Sequence, residues 1–491
     1  MPSTPFFSSF KSLLFGRPPR SAANSLRGSF HHLNSFSQLQ EAFGSFIPDK
    51  LLSTTPKGPN SRERLFSPRV TFWAFLAQVL CPNCPCREIV RKVQAWCQPL
   101  PAKDARAISS GTGGYCQARA RLSHQTLESI HESITARLQR NVTGSDQWRG
   151  RDVFIIDGTN LSMPDTPANQ TLYPQPSGQK PGCGFPMMKL VAIFSLASGA
   201  LLHVARGSLH VHEITLFRQL WSQLKAGCIL LADRGFCSYF DIASLLNRKV
   251  DSVMRLRNAR TLDLRRGKRL GSGDRLVTWQ RPKQSKSQPS TEFDALPMTL
   301  TLRQVHYRIQ IAGSRTQKVV LITTLLNPLE YPAAELALLY LQRWGVELHF
   351  REIKTILRLD VLRCMSPGMI HKEVCLHLIA YNMVRVLMQE ASHLHQVALR
   401  RLSFKGTLDT LRHFADAMHA AKKAPHKQAS LLAEMLAIIA KDRLPLRPNR
   451  AEPRAKKRRS KNYHLLTKPR HQIRIKGHRN RPVKKSKTCL N

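Results

Sequence analysis

Asp152-Val-Phe-Ile-Ile-Asp157-Gly-Thr159 and Gly227-Cys-Ile-Leu-Leu-Ala-Asp233-Arg-Gly-Phe236 are the stretches whose reading decides the fold. Each is a short, uninterrupted apolar run that ends on an aspartate. The first run holds three β-branched residues, Val153, Ile155 and Ile156, so it reads as a buried strand running into an Asp-Gly turn. The second repeats that theme. Aspartates at the carboxyl ends of buried strands line the ligand crevice of an α/β sheet. Taken singly, each is better read as an ordinary turn residue.

The neighbouring chain supplies the rest of such a sheet. A Pro-, Gly- and Gln-rich loop over 163–186 leads to strands at 189–195 and 200–205, joined at Ser198-Gly199. A helical pattern over 213–224 carries Leu216, Phe217, Leu220 and Trp221. A helix at 239–247, a strand at 252–256 and a buried strand at 318–324 follow. Three strands, helix, strand, helix, strand is an α/β order with a mixed sheet. Residues 257–316 break the pattern. They are basic and turn-rich, with strand-like segments at 298–302 and 305–311, and read as a β-rich insertion.

Beyond the insertion lies Tyr340-Leu-Gln-Arg-Trp-Gly-Val-Glu-Leu-His-Phe-Arg-Glu-Ile-Lys354, inside a long helical pattern. Residues seven apart share a helix face with a drift of about 20°. Tyr340, Glu347 and Lys354 are related that way, and Arg343 stands one turn before Glu347. Roughly 80° round the axis, Leu339, Val346, Phe350, Ile353 and Leu357 form an apolar stripe, so the polar stripe borders the buried face. The same pattern also fits a solvated face with i,i+4 ion pairs.

The 491 residues carry 76 Lys and Arg against 31 Asp and Glu, a net charge of +45. That charge repels itself unless a polyanion is bound, which makes nucleic acid the expected partner. An anionic membrane surface fits less well, because no basic amphipathic helix with a wide apolar face is evident. No apolar run is long enough to span a bilayer; the longest, 190–205, is interrupted by Ser195, Ser198 and Gly199. Eleven cysteines, an odd number, point to reduced thiols in a cytoplasmic protein.

Residues 1–60 read as a loose N-terminal arm with one short helical pattern over 39–46, and the first forty residues hold no acid. Residues 61–150 read as a helical domain, with helices at 70–79, 89–96 and 126–138 and basic residues that include Arg62, Arg64, Arg91 and Lys92. Small basic helical modules grip DNA, although such residues also serve solubility. Cys81, Cys84 and Cys86 lie between two of those helices. With Cys97 or Cys116 they reach the number of ligands a zinc site needs, but no second C-x-x-C is present, and a turn with inert thiols is the preferred reading. Helices are expected at 371–391 and 428–439 within a C-terminal helical region, 366–443. The basic stretch 444–491, with Glu452 as its only acid, reads as a disordered electrostatic tail.

Two carboxylates at neighbouring strand ends repel one another unless a cation joins them, and oxygen-only ligands suit Mg²⁺ or Mn²⁺. With Glu347 from a helix on the same sheet, Asp157 and Asp233 can hold two metals about 3.5–4 Å apart, the arrangement that serves phosphodiester chemistry.

Tyr340, Arg343, Glu347 and Lys354 match the Y-x2-R-x3-E-x6-K signature, and the sequence thereby resembles bacterial insertion-sequence transposases of the DDE superfamily, insertion-sequence-four group. Asp157-Gly-Thr159 and Asp233-Arg-Gly-Phe236 resemble the segments bearing that family's two catalytic aspartates. The resemblance covers roughly residues 61–390, judged by motif and element order. It implies an RNase H-like catalytic core over 151–365, interrupted by a β-strand insertion. It also implies Asp157, Asp233 and Glu347 as the catalytic, metal-binding triad, and Tyr340, Arg343 and Lys354 as contacts to the DNA backbone. On a regular helix Arg343 lies about 6 Å from Glu347, and Tyr340 and Lys354 about 10 Å on either side, a spacing that follows a DNA strand. Trp279, in the insertion, is a weaker parallel to the aromatic with which related enzymes hold a flipped base; a core or hairpin role suits it at least as well. His210 and His212 read as a loop-to-helix junction and not as metal ligands.

The implied function is a transposase that binds terminal inverted repeats as double-stranded DNA, cuts there with Mg²⁺ and joins the 3′ ends to target DNA. It would work as a homo-oligomer, at least a dimer, in a synaptic complex on the nucleoid. A nuclease of the same fold that cuts without joining, and a domesticated DNA-binding relative with an inactive core, are the rivals.

Overall fold

The computed structural model describes residues 47–53, 64–81, 84–96, 109–257, 267–284, 290–309, 317–421, 424–445 and 465–473. Its centre is a nine-stranded sheet built from β1 (Val153–Ser162), β2 (Met187–Ser195), β3 (Leu201–Ser208), β4 (Ile229–Ala232), β5 (Asp251–Arg255), β6 (Lys268–Gly271), β7 (Asp274–Gln280), β8 (Thr299–Ile309) and β9 (Gln317–Thr323). The strand order is β3-β2-β1-β4-β5-β9-β8-β7-β6. Strands β1, β2 and β3 form an antiparallel meander, whereas β4 pairs parallel to both β1 and β5. This mixed α/β arrangement fits the RNase H-like core that the resemblance implies. The insertion strands β6 to β8 do not fold apart; they extend the same sheet through β9.

The segments read from sequence as separate strands at 298–302 and 305–311 meet in the one long strand β8, Thr299–Ile309; residues 310 and 311 lie outside the described residues. Within it Arg303 is fully buried and forks onto Asp274, so a charge that looks like a strand break is satisfied inside the sheet. Likewise, β1 does not stop at Asp157-Gly158. The antiparallel ladder with β2 runs on from Asp157↔Ala192 to Ser162↔Met187. The parallel ladder with β4 is shorter, because β4 ends at Ala232. Past Ile155, therefore, β1 keeps one neighbour and loses the other, and a notch opens beside Asp157. This corrects the expected turn.

Helices cover both faces. The N-terminal ones are α1 (Pro68–Leu80), α2 (Cys86–Trp96), α3 (Gly113–Arg121) and α4 (His124–Arg140). Within the core lie α5 (Pro167–Leu172), α6 (Glu213–Arg218) and α7 (Tyr239–Asn247), and α8 (Ser290–Asp294) belongs to the insertion. The segment expected as a helix over 213–224 is α6 followed by a short 3₁₀ turn, Trp221–Gln223. After the sheet come α9 (Ala333–Gln342), α10 (Gly345–Arg351), α11 (Pro367–Leu394), α12 (Phe404–Ala420) and α13 (Pro425–Lys441). No helix was expected at α3, α5, α8 or α12.

Helix α11 is buried along most of its length, with polar Glu373, His377, Asn382, Arg385 and Gln389 buried among its apolar residues. Its Asn382 is fully buried. The Oδ1 atom accepts from Leu201 N (2.9 Å) and Nδ2 donates to Leu201 O (2.8 Å) and to Thr135 Oγ1 (3.2 Å). One amide thus ties α11 to edge strand β3 and to α4. Helices α1 and α4 share this core, whereas Ile89, Val90 and Val93 of α2 and Tyr115 of α3 pack on the other side of α1 in a smaller cluster of their own.

The expected helix at 39–46 and Cys97 lie outside the described residues. So does most of the expected tail; residues 465–473 lie against the loop before β2, where Arg470 N donates to Gly182 O (3.2 Å). No helix among the described residues is long and apolar enough to cross a membrane.

Candidate active site

Strands β1 and β4 pair Val153↔Ile229, Phe154↔Leu230 and Ile155↔Leu231. Two residues past the last pair, Asp157 and Asp233 lie near enough for the second carboxylate to raise the first. Asp157 stands within its strand, and Asp233 is the first residue after β4, immediately ahead of the 3₁₀ turn Arg234–Phe236. That turn is fixed from both sides. Arg257 donates to Gly235 O (2.6 Å) and Arg234 O (3.2 Å), and buried Phe236 meets Phe217 edge-on at 5.4 Å.

The face bearing Asp157 is covered by the helix of the signature. Tyr340 donates its hydroxyl to Ala232 O (3.2 Å), one residue before Asp233. Arg343 Nη1 lies 3.5 Å from Asp157 Oδ2. Lys354 Nζ donates to Thr159 Oγ1 (2.9 Å), two residues beyond Asp157. Three of the four signature residues therefore dock the helix onto the two aspartate-bearing strands. Tyr340 and Arg343, expected as DNA contacts, are buried here at 3% and 7% exposure. Glu347 is exposed on α10, which packs on β1.

The helix is not regular. Val346 N bonds Arg343 O and Glu347 N bonds Trp344 O, three residues back, and Gly345 opens α10. A π-turn, Glu352–Ile356, follows, with Leu357 N on Glu352 O. Overwinding before Glu347 and underwinding around Lys354 replace the uniform 3.6-residue spacing assumed from sequence.

Burial raises the Asp157 carboxyl above the usual carboxylate range. The Gly158 N–H on its Oδ1 (2.8 Å) and Arg343 oppose that rise, while Asp233 and Glu213 add to it. The Nε of Arg343 is buried without a partner. A desolvated carboxylate close to a second, with the Arg343 guanidinium as its ion-pair partner, fits a hard divalent cation held by oxygen. Among the described residues no three Asp, Glu, His or Cys side chains converge on one point.

Glu213 went unused in the sequence reading. It begins α6, and a Cβ on Gly158 would lie 2.9 Å from its Cδ. Glycine inside a strand marks a close approach, and that was the available signal. His212 precedes α6 as expected of a junction. Trp279 is buried in β7 opposite Leu300. Burial pushes the Cys84 thiol up to about 12 and raises Cys86, in keeping with inert thiols.

Residues 148–383, which span both aspartates and the helix, match the family "Transposase DDE domain". The transposase InsG for insertion sequence element IS4 of Escherichia coli (strain K12) is 27% identical over 409 residues, covering 82% of this chain and 88% of that relative. The solved piggyBac transposase synaptic complex with hairpin DNA covers 83% of this chain and 86% of its own, at 11% identity and a TM-score of 0.42. A domain matched across the aspartates and their helix, and a relative matched along most of both chains, make this chain similar to DDE transposases and to a transposase of insertion sequence element IS4.

Proposed function

We propose that the chain is a DNA transposase that binds the terminal inverted repeats of its own element, cuts there and joins the cut ends to target DNA. The observation that carries this reading is that Asp157 and Asp233, just beyond the paired ends of β1 and β4, lie close enough to interact, with the helix that bears Glu347 tied to Asp157 through Arg343. Asp157, Asp233 and Glu347 would hold Mg²⁺ or Mn²⁺. Bound there, the cations supply charge neutralisation at the scissile phosphate and activation of the attacking oxygen.

The chain's own residues do the positioning. Tyr340 fixes the helix from beneath through Ala232 O. Arg343 offers an unpartnered, buried Nε, a donor suited to a phosphate oxygen once the strand is seated. Lys354, already on Thr159, adds positive charge on the far side of Glu347. The Arg- and Lys-rich N-terminal helices, insertion and tail provide a salt-sensitive grip on the double helix. Two or more copies assembled on paired ends complete the reading.

The test uses a labelled terminal repeat and a supercoiled target. Strand-transfer products in Mg²⁺ support a transposase; nicked ends without joining support a nuclease of the same fold. Binding without either reaction supports a domesticated relative.

A further inference from the structure

Helix α11 holds the chain just past the helix that carries Glu347. The Glu373 carboxylate accepts from Arg363 N (3.0 Å) and Cys364 N (2.9 Å). One turn on, buried His377 faces two backbone carbonyls. Its Nδ1 lies 2.8 Å from Glu373 O and its Nε2 3.1 Å from Leu357 O. Leu357 ends the π-turn that holds Lys354, and Arg358 beyond it reverses the chain in the left-handed region, at φ 63°. Carbonyls in the last turn of a helix have no partner within it, so His377 meets a need that the helix cannot meet itself.

A carbonyl oxygen only accepts, and a neutral imidazole has one N–H and one lone pair. Neutral His377 therefore donates to one carbonyl and turns a lone pair on the other; only the imidazolium makes both bonds. A proton has access, because the ring lines a cavity of about 530 Å³ between helices α1 to α3 and the segment after the π-turn. Around that cavity Glu373 comes from α11, Arg358 and Arg363 from the segment after the π-turn, and Arg119 from α3; its other titratable groups are cysteine thiols. Burial, aided by Arg363, pulls the imidazole below its ordinary value, while Glu373 and the two carbonyls hold it up. We propose that His377 is a proton-operated latch on the exit of the helix that carries Glu347. Neutral, it donates Nδ1–H along its own helix to Glu373 O, the shorter contact, and leaves Leu357 O facing a lone pair. Protonated, it donates to both and ties the π-turn, and with it Lys354 on Thr159, to α11.

The latch acts on the helix that the proposed function uses, but its test needs neither DNA nor a cation, so either can fail alone. Full-length protein with isotope-labelled histidine nitrogens is titrated by NMR from about pH 8 to about pH 5, the range in which histidine changes charge. The His377 ring is the one missing from His377→Gln, or from His377→Asn if the first variant loses the native circular dichroism spectrum. It is expected to be an Nδ1–H tautomer at the upper end and an imidazolium at the lower. Amide hydrogen exchange, corrected for intrinsic rates, is followed at Leu357 and Leu359, whose N–H groups bond Glu352 O and Ile353 O. Their protection in the wild type is expected to rise about fivefold in acid, the equivalent of one hydrogen bond. In the variant, whose amide donates alike at every pH, it is expected to stay flat. A ring still neutral at about pH 5, or a neutral Nε2–H tautomer, overturns the latch from the wild-type spectra alone. So does protection that stays flat in the wild type, or an equal gain in the variant.

Discussion

Arg343 Nη1 lies 3.5 Å from Asp157 Oδ2, joining the helix that carries Glu347 to the strand that carries the first aspartate. The guanidinium is 7% exposed, so the contact is made largely out of water. It supplies positive charge beside two neighbouring aspartates, and a bound cation would supply the same charge.

Removing Arg343 therefore has a metal-dependent cost. Arg343→Ala should lower stability by about 1–3 kcal/mol in chelator, where Asp157 is left without its counter-charge. Excess Mg²⁺ should restore part of that loss. Urea unfolding in the two buffers measures the difference, and an equal loss in both would contradict a cation site beside Asp157.

The insertion is held by a second buried pair. Arg303 is fully buried and forks onto Asp274 through Nε (2.9 Å) and Nη2 (2.6 Å), while Nη1 donates to Tyr331 O (2.6 Å). The pair thus links β7 and β8 to the loop that leads into α9. Asp274→Ala strands the guanidinium in the core and should cost about 3–5 kcal/mol. Thermal and urea unfolding report it, and a loss under about 1 kcal/mol would show the charge to be satisfied otherwise.

Acid should loosen the joint between α4, α11 and β3. Burial pushes His131 down to about 4, with His203 adding to the effect, and its Nε2 meets Asn382 Nδ2 at 3.1 Å. The folded state resists the proton that the unfolded chain accepts near pH 6.5. This contribution to stability is complete above that value and is lost as pH falls toward 4, reaching about 2 kcal/mol by pH ~5. Denaturation at pH ~7 and pH ~5 should show a smaller drop for His131→Gln than for the wild type. Equal drops would place the acid sensitivity elsewhere.

Much of this architecture is legible in the residues, and the exceptions have physical causes. Uninterrupted apolar runs mark β1 and β4, and 239–247 is the helix its periodicity predicts. Asp157-Gly158 looks like a turn because the sequence signal is local, whereas β1 is extended past it by pairing with β2. Arg303 splits β8 in a sequence reading because its partner Asp274 is on another strand. At the site, motif spacing identifies Tyr340, Arg343, Glu347 and Lys354. It does not reveal that Tyr340, Arg343 and Lys354 bond Ala232, Asp157 and Thr159, since those contacts need the fold. Nor does a helical wheel foresee a tightened turn before Glu347 and a π-turn around Lys354. Glu213 was hidden for the same reason, although Gly158 inside a strand is its trace.

The most direct measurement is cleavage of a labelled terminal-repeat duplex in Mg²⁺ by the wild type and by Asp157→Asn, Asp233→Asn and Glu347→Gln, with binding of the same duplex measured in parallel. The wild type should cut at the element's end, and each variant should bind within about threefold of it yet lose at least about a hundredfold in cleavage. Cleavage at the wild-type rate by any one of the three would contradict the assignment of that acid, and by all three would contradict the site.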